Sequence, residues 1–183
     1  MRQSTGIIIG GLLGLCMQSS MALELLSPDV SDHMRMTKQQ EYQGFGCDGE
    51  NVSPALKWKD VPPGTKSFAL TVYDPDAPTG SGWWHWVVFN ISKDVRQLPK
   101  NAGNAKRKLL PPQAVQSRTD FGTPGYGGPC PPKGHGIHHY RFTLYALDVE
   151  KLPQGKDAPA AQVGFSINQH KLAESTITGL YSR

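Results

Sequence analysis

The chain has 183 residues, 19 Lys and Arg against 15 Asp and Glu, a net charge of +4, and 20 glycines with 15 prolines. That length supports one domain with a substantial core and is short for two. The one basic run, Lys106-Arg107-Lys108, lacks the density of a nucleic-acid patch and reads as a solvated loop, so no nucleic-acid partner is expected.

The N-terminus reads as a leader. Arg2 precedes the apolar run Gly6 to Met17, and Ser20-Met21-Ala22 places small residues at −3 and −1 of a cleavage point. The run is too short to span a membrane, which needs about 20 apolar residues. A lipoprotein reading through Cys16 is disfavoured by Leu15, where a small residue is wanted. The expectation is a signal peptide over 1–22 and one exported domain over 23–183, periplasmic or secreted, with a net charge of +3 once Arg2 is removed. Export leaves two cysteines, Cys47 and Cys130, in a compartment where disulfides persist. An even pair there suggests a bridge; the competing reading is two separate buried thiols.

Period-two patterns dominate the rest. Leu23 to Leu25 and Ala55 to Trp58 are weak strand candidates. Ser67 to Asp74 is a clear one, with Phe68, Leu70, Val72 and Asp74 on one face. Trp83 to Ile91 follows, with Trp83, His85, Val87 and Phe89 in phase. His138 to Leu147 is the third, with His138, Tyr140, Phe142, Leu144 and Ala146 in phase. Ala160 to Ser175 carries helical spacing through Val163, Ile167 and Leu172. The fold class is mainly β, a sandwich-like arrangement with short C-terminal helices. Ten of the fifteen residues from Gly122 to Gly136 are Gly or Pro, which makes this region a stiff connection.

Strand phase brings polar groups together. The turn-rich Pro75–Gly82 connection predicts a hairpin, so Asp74, Asp76 and His85 meet at one sheet end. If His138 and Tyr140 start their strand at that end, the five face one concavity floored by Trp83, Val72 and Phe142. His139 points away and His135 has no assigned role. Each element also has a structural reading: Asp-Pro-Asp as turn chemistry, a lone His as a hydrogen-bonded core residue, the tryptophans as packing. Together they suit three chemistries. A divalent metal could use two Asp and two His, but the helical zinc spacings are absent and His138 and His139 face opposite ways. An acid–base hydrolase using Asp and His is a second. The third is recognition of a small anion or phosphate monoester, with glycine N–H groups and histidines donating to its oxygens.

Four segments carry a resemblance: CDGENVSPALKW (Cys47 to Trp58), VPPGTKSFALTVYDPDAP (Val61 to Pro78), GWWHWVVFNI (Gly82 to Ile91) and PPKGHGIHHY (Pro131 to Tyr140). In this order they resemble the phosphatidylethanolamine-binding protein (PEBP) family, and within it the bacterial Raf-kinase-inhibitor-like branch in an exported form, from about Leu26 to Tyr181. The resemblance implies a β-sandwich with C-terminal helices and an anion pocket at one end. It places the pocket on Asp74, Asp76, Trp83, His85, Gly128, Pro132, His138 and Tyr140, with Tyr181 at its border. It also implies that Cys47 and Cys130 form the added disulfide of exported members. His139 stands where the family usually has arginine, which puts that arginine's salt bridge in question. The kinase-regulating role of eukaryotic members is not carried over. The functional expectation is a binding protein for a phosphate-bearing head group or similar small anion, with no catalytic residue, cofactor or metal. A protein–protein regulator acting through the pocket rim, or a weak hydrolase or isomerase using Asp and His, are the alternatives.

Overall fold

The computed structural model describes residues 22–183. The leader reading and Cys16 therefore lie outside the described residues, apart from Ala22. In chain order the elements are β1 (Glu24–Leu26), β2 (Met34–Arg35), β3 (Gln43–Gly44), β4 (Cys47–Asp48), β5 (Leu56–Lys59), β6 (Ser67–Asp74), β7 (Trp83–Ser92), β8 (Gln97–Leu98), β9 (Val115–Gln116), β10 (His138–Leu147), α1 (Ala160–His170) and β11 (Lys171–Tyr181).

A six-stranded sheet, ordered β2-β11-β10-β6-β7-β9, is the spine of the molecule. Its central strands run antiparallel, and only β2 joins β11 in parallel. A small sheet, β1-β5-β8, contributes Leu25, Leu56, Trp58 and Leu98 to a core shared with Phe68, Leu70, Val72, Phe142 and Leu144 of the main sheet. Trp58 packs edge-on to Phe68 with ring centroids 5.4 Å apart. The opposite face of the main sheet is covered by α1, whose Ala160, Val163 and Ile167 meet Ala69, Val87, Phe89 and Leu147. That i, i+3, i+7 spacing is a one-sided apolar stripe, and it explains why a short helix without a side-chain cap holds its place. With both faces covered, β6 is buried at every position but Tyr73.

Two sequence expectations are corrected here. The helix ends at His170, and the chain passes at once into β11, an 11-residue strand along the full length of β10. Leu172, expected on a helix, belongs to that strand. Thr176, Ile177 and Thr178 are β-branched and suit a pleated surface, so tertiary pairing takes over where the helical stripe loses its last buried residue, Ile167. Among the described residues there is one helix, not several.

The second correction concerns phase in β7. Val72 pairs with Trp86 and Tyr73 with Trp84, so His85 is an extra residue opposite no partner. This bulge turns the strand's alternation over. Trp83 and His85 face the polar end of the core side, Trp86 and Val88 continue that face, and Val87 and Phe89 point to α1. Simple alternation placed Val87 and Phe89 with His85; the inserted residue separates them.

Candidate functional site

The register of three strands builds the site. Arg141 pairs with Tyr73 and Phe142 with Val72, so β10 runs past the end of β6, and Tyr140 and His138 stand over Asp74 on the core face. Asp74 pairs with Trp83 across the hairpin. The Asp74 carboxylate accepts the Asp76 backbone N–H at 2.9 Å and holds His138 Nδ1 at 2.7 Å, with both side chains almost wholly buried. On its other nitrogen His138 meets His135 Nδ1 at 2.8 Å. A hydrogen-bonded line Asp74–His138–His135 thus runs from the buried sheet end to an exposed loop histidine.

His85 is fixed from the opposite wall. Its Nδ1–H donates to the Gly127 carbonyl at 2.6 Å, while Gly127 N–H donates to the His85 carbonyl at 2.9 Å. A carbonyl can only accept, so Nδ1 bears the hydrogen and Nε2 a lone pair. Burial drives the His85 pKa down to about 4, against smaller raising contributions from the Gly127 carbonyl and Asp74. Unfolded histidine takes its proton near pH 6.5, so between about 6.5 and 4 the unfolded chain binds more protons, and stability falls as pH falls through that window. Urea unfolding is expected to lose about 1.5–2 kcal/mol between pH 7 and pH 5 from this group. A His85→Gln variant is expected to lack that slope.

The Gly/Pro-rich segment closes the site. Asn51 clamps it, donating from Nδ2 to the Tyr126 carbonyl at 3.1 Å and accepting the Gly128 N–H at 2.8 Å. A Cβ on Gly128 would lie 1.8 Å from the Gln40 carbonyl oxygen, so only glycine fits. Cys130 is bonded to Cys47 with Cα atoms 6.0 Å apart. Arg183 adds a second tie, donating to the carbonyls of Pro131 and Gly46, each at 2.7 Å.

The result is a cavity of about 220 Å³. Asp74, His85, His138 and Tyr140 supply its polar side, with Thr79 and Ala77 from the β6–β7 turn. Phe45, Trp83, Phe121, Pro78, Pro131, Pro132 and Cys130 supply its apolar walls. Phe121 stands edge-on to both Trp83 and His85, at 5.6 and 5.3 Å, and stacks on Phe45 at 5.9 Å. The Tyr140 hydroxyl is buried beside the Asp74 carboxylate and makes no well-formed hydrogen bond among the described residues. Burial, then the nearby Asp74 carboxylate, hold that phenol well above its ordinary pKa, so it keeps its proton.

The family model for phosphatidylethanolamine-binding proteins matches residues 26–182. The chain belongs to that family. It is 50% identical over 160 residues to the UPF0098 protein YbcL of Escherichia coli, covering 87% of each chain. To E. coli YbhB it is 48% identical, covering 87% of this chain and all of that one. The crystal structure of E. coli YbcL, described as a new member of the mammalian PEBP family, superposes with a TM-score of 0.87 at 49% identity, covering 88% of this chain and 98% of that one. A PEBP homologue from Chlamydia trachomatis superposes at 0.74 with 32% identity, covering 90% and 99%.

Of the positions that the resemblance pointed to, Asp74, Trp83, His85, Pro132, His138 and Tyr140 line the one cavity. Three others lie elsewhere. Asp76 turns to the opposite face of β10, where its carboxylate accepts both the backbone N–H and Nδ1 of His139 at 2.8 Å. Burial works to raise Asp76, but the bonds from His139 outweigh it and hold the carboxyl below its usual range. His139 therefore makes a carboxylate hydrogen bond at the position where the family usually has arginine. Gly128 backs the rim instead of donating into the cavity, because its N–H is spent on Asn51. The Tyr181 hydroxyl donates to the buried Glu41 carboxylate, and burial together with Glu41 pushes its pKa up to about 12. Val72 and Phe142, expected as the floor, sit in the core one layer below. Among the described residues no three His, Cys, Asp or Glu side chains are grouped to hold a metal ion, and both ring nitrogens of His138 are taken by Asp74 and His135. No helix among them is long and apolar enough to cross a membrane.

Sequence reasoning did not find Phe45, Phe121, Pro78, Thr79 or His135. None lies in a periodic segment, and loops folding back from distant positions leave no local pattern. The nearest signal was the concentration of proline and glycine around Phe121 and His135.

Proposed function

We propose that this chain is an exported, periplasmic binding protein whose cavity receives the phosphate of a small head group or a similar small anion, without turnover. One observation supports the reading above the others. The Tyr140 hydroxyl is buried at the cavity with no well-formed hydrogen bond, its nearest acceptor being the Asp74 carboxylate that His138 and the Asp76 N–H already occupy. A buried hydroxyl left unpaired costs about 1–3 kcal/mol, and a ligand oxygen would recover that. The cavity volume suits a head group and not a whole lipid. Both a free phosphate ester and a lipid head group share this chemistry.

A regulator acting through the rim is the second reading. Phe45 favours it, since this ring at the cavity is 67% exposed and stacks on Phe121. The decisive measurement is titration with inorganic phosphate near pH 6, following the imidazole NMR signals of His85 and His138. Saturable shifts at both histidines are expected. Unmoved signals at millimolar phosphate would sink the phosphate reading. In that case, capture of a protein partner abolished by Phe45→Ala but retained in Tyr140→Phe would favour the rim.

A further inference from the structure

The Lys106-Arg107-Lys108 run borders a second hollow. It measures about 530 Å³ and is lined by Gln116 of β9, by Lys108, Leu110 and Pro111 from the loop before that strand, and by Pro124 and Lys156. A smaller hollow of about 280 Å³ adjoins it through Ala105 and Pro124 and adds Lys106. Neither shares a lining residue with the cavity around Tyr140, and no Asp or Glu lines either. Among the described residues the lysines in ion pairs are Lys38, Lys59, Lys100 and Lys171. Lys106, Lys108 and Lys156 are exposed and have no carboxylate partner there.

This groove follows a sheet edge. β9 is the outermost strand of the six-stranded sheet, with β7 on its inner side. The Ser117 N–H donates inward to the Val87 carbonyl at 3.1 Å. Backbone groups along an antiparallel strand alternate in direction, so the N–H and C=O of Gln116 face away from β7. The residues on either side of it show where that direction leads. Ala114 N–H donates outward to the Pro111 carbonyl at 3.0 Å, and Arg118 N–H to the Lys156 carbonyl at 2.8 Å. Pro111 and Lys156 both line the groove. Between these two bonds the Gln116 N–H and C=O are open, with no partner among the described residues. The Gln116 side chain is held from the core side, where its Oε1 accepts the Trp86 indole N–H at 2.6 Å.

An open donor and acceptor on a sheet edge are a template for one more strand. Leu110, Pro111 and Pro124 offer apolar surface beside them, and the three lysines offer positive charge with no acid among the lining residues. We propose that this groove docks an extended, acidic peptide segment of a partner protein. The segment adds as a strand at the Gln116 edge of β9, with its carboxylates set against Lys106, Lys108 and Lys156 and an apolar side chain against Leu110. One residue of edge supplies only two backbone bonds, so charge carries much of the affinity and binding weakens with salt. A polyanion without backbone N–H groups can use the lysines but cannot pair with the Gln116 carbonyl.

Titration of the nitrogen-15-labelled protein at low salt with a blocked peptide of about nine residues, alternating Glu and Val, tests the proposal. The Gln116 amide signal is expected to shift saturably and to gain protection from hydrogen exchange, while the His138 amide stays unmoved. Replacing both exposed lysines, Lys108→Glu with Lys156→Glu, is expected to weaken binding about 10-fold or more. The same peptide N-methylated throughout, and dextran sulfate, are expected to leave Gln116 unprotected. Equal protection from either of these, or equal affinity in the double variant, overturns strand addition at this edge. An unmoved Gln116 amide at millimolar peptide overturns it too, and shows that the prolines and lysines only blunt the edge.

Discussion

Replacing Cys47 and Cys130 together with alanine is expected to destabilise the folded protein by about 2–5 kcal/mol. The bridge joins positions 83 residues apart, and the chain-entropy relation gives roughly 4.5 kcal/mol for a loop of that size. At about 2–4 °C per kcal/mol for a domain of this length, the melting temperature should fall by roughly 5–20 °C. The effect reaches the site as well, because Cys130 lines the cavity and Cys47 follows the turn that presents Phe45. With the bond gone, that rim is held by Arg183 and Asn51 through hydrogen bonds alone. Phosphate affinity is therefore expected to drop at temperatures where the variant is still folded. Thermal unfolding followed by circular dichroism, with and without reductant on the unaltered protein, checks the first part. A melting temperature unchanged by reduction would show that the bridge contributes nothing.

The second large effect is expected from Asp74→Ala. Both partners of the Asp74–His138 contact are buried, so removing the carboxylate leaves the His138 Nδ1 hydrogen and the Asp76 N–H unpaired. Breaking such a pair costs about 3–5 kcal/mol when both groups are charged. It costs about 1.5–3 kcal/mol when the imidazole is neutral and the bond is to a charged acceptor only. Denaturant unfolding at pH 7 measures the loss. Asp74→Asn keeps an oxygen for the Asp76 N–H, so it should recover part of the stability while still misorienting His138. A variant no less stable than the parent would mean that the pair is not a structural element.

Much of this site can be read from strand phase. The pairing of Asp74 with His138 and Tyr140 needs only period two in two strands and a shared sheet end, and both conditions hold in the fold. His85 reached the same place for a different reason, since a bulge turns it inward where plain alternation would have grouped it with Val87 and Phe89. Bulges insert one residue against a partner strand, and nothing within the strand's own sequence marks the spot. β11 escaped notice because the apolar spacing of the preceding helix can be continued on paper to Leu172, while its real partner, β10, lies some thirty residues earlier. The aromatic walls, Phe45 and Phe121, come from loops placed by a disulfide and by backbone hydrogen bonds, which are long-range facts. Gly128 was legible as a glycine that matters and misread as to why: the constraint is the Gln40 carbonyl against its Cα, not an anion in front of its N–H.

Neighbouring residues on β10 carry the same chemistry in opposite surroundings. His138 meets Asp74 where water does not reach, and His139 meets Asp76 at the surface, with side-chain exposures of 1% and 44% for the two histidines. Dissolved ions screen the second pair and leave the first almost untouched. The strand thus contains its own reference probe. In one spectrum, a perturbation shared by both rings reports the medium, and a perturbation confined to His138 reports an occupant.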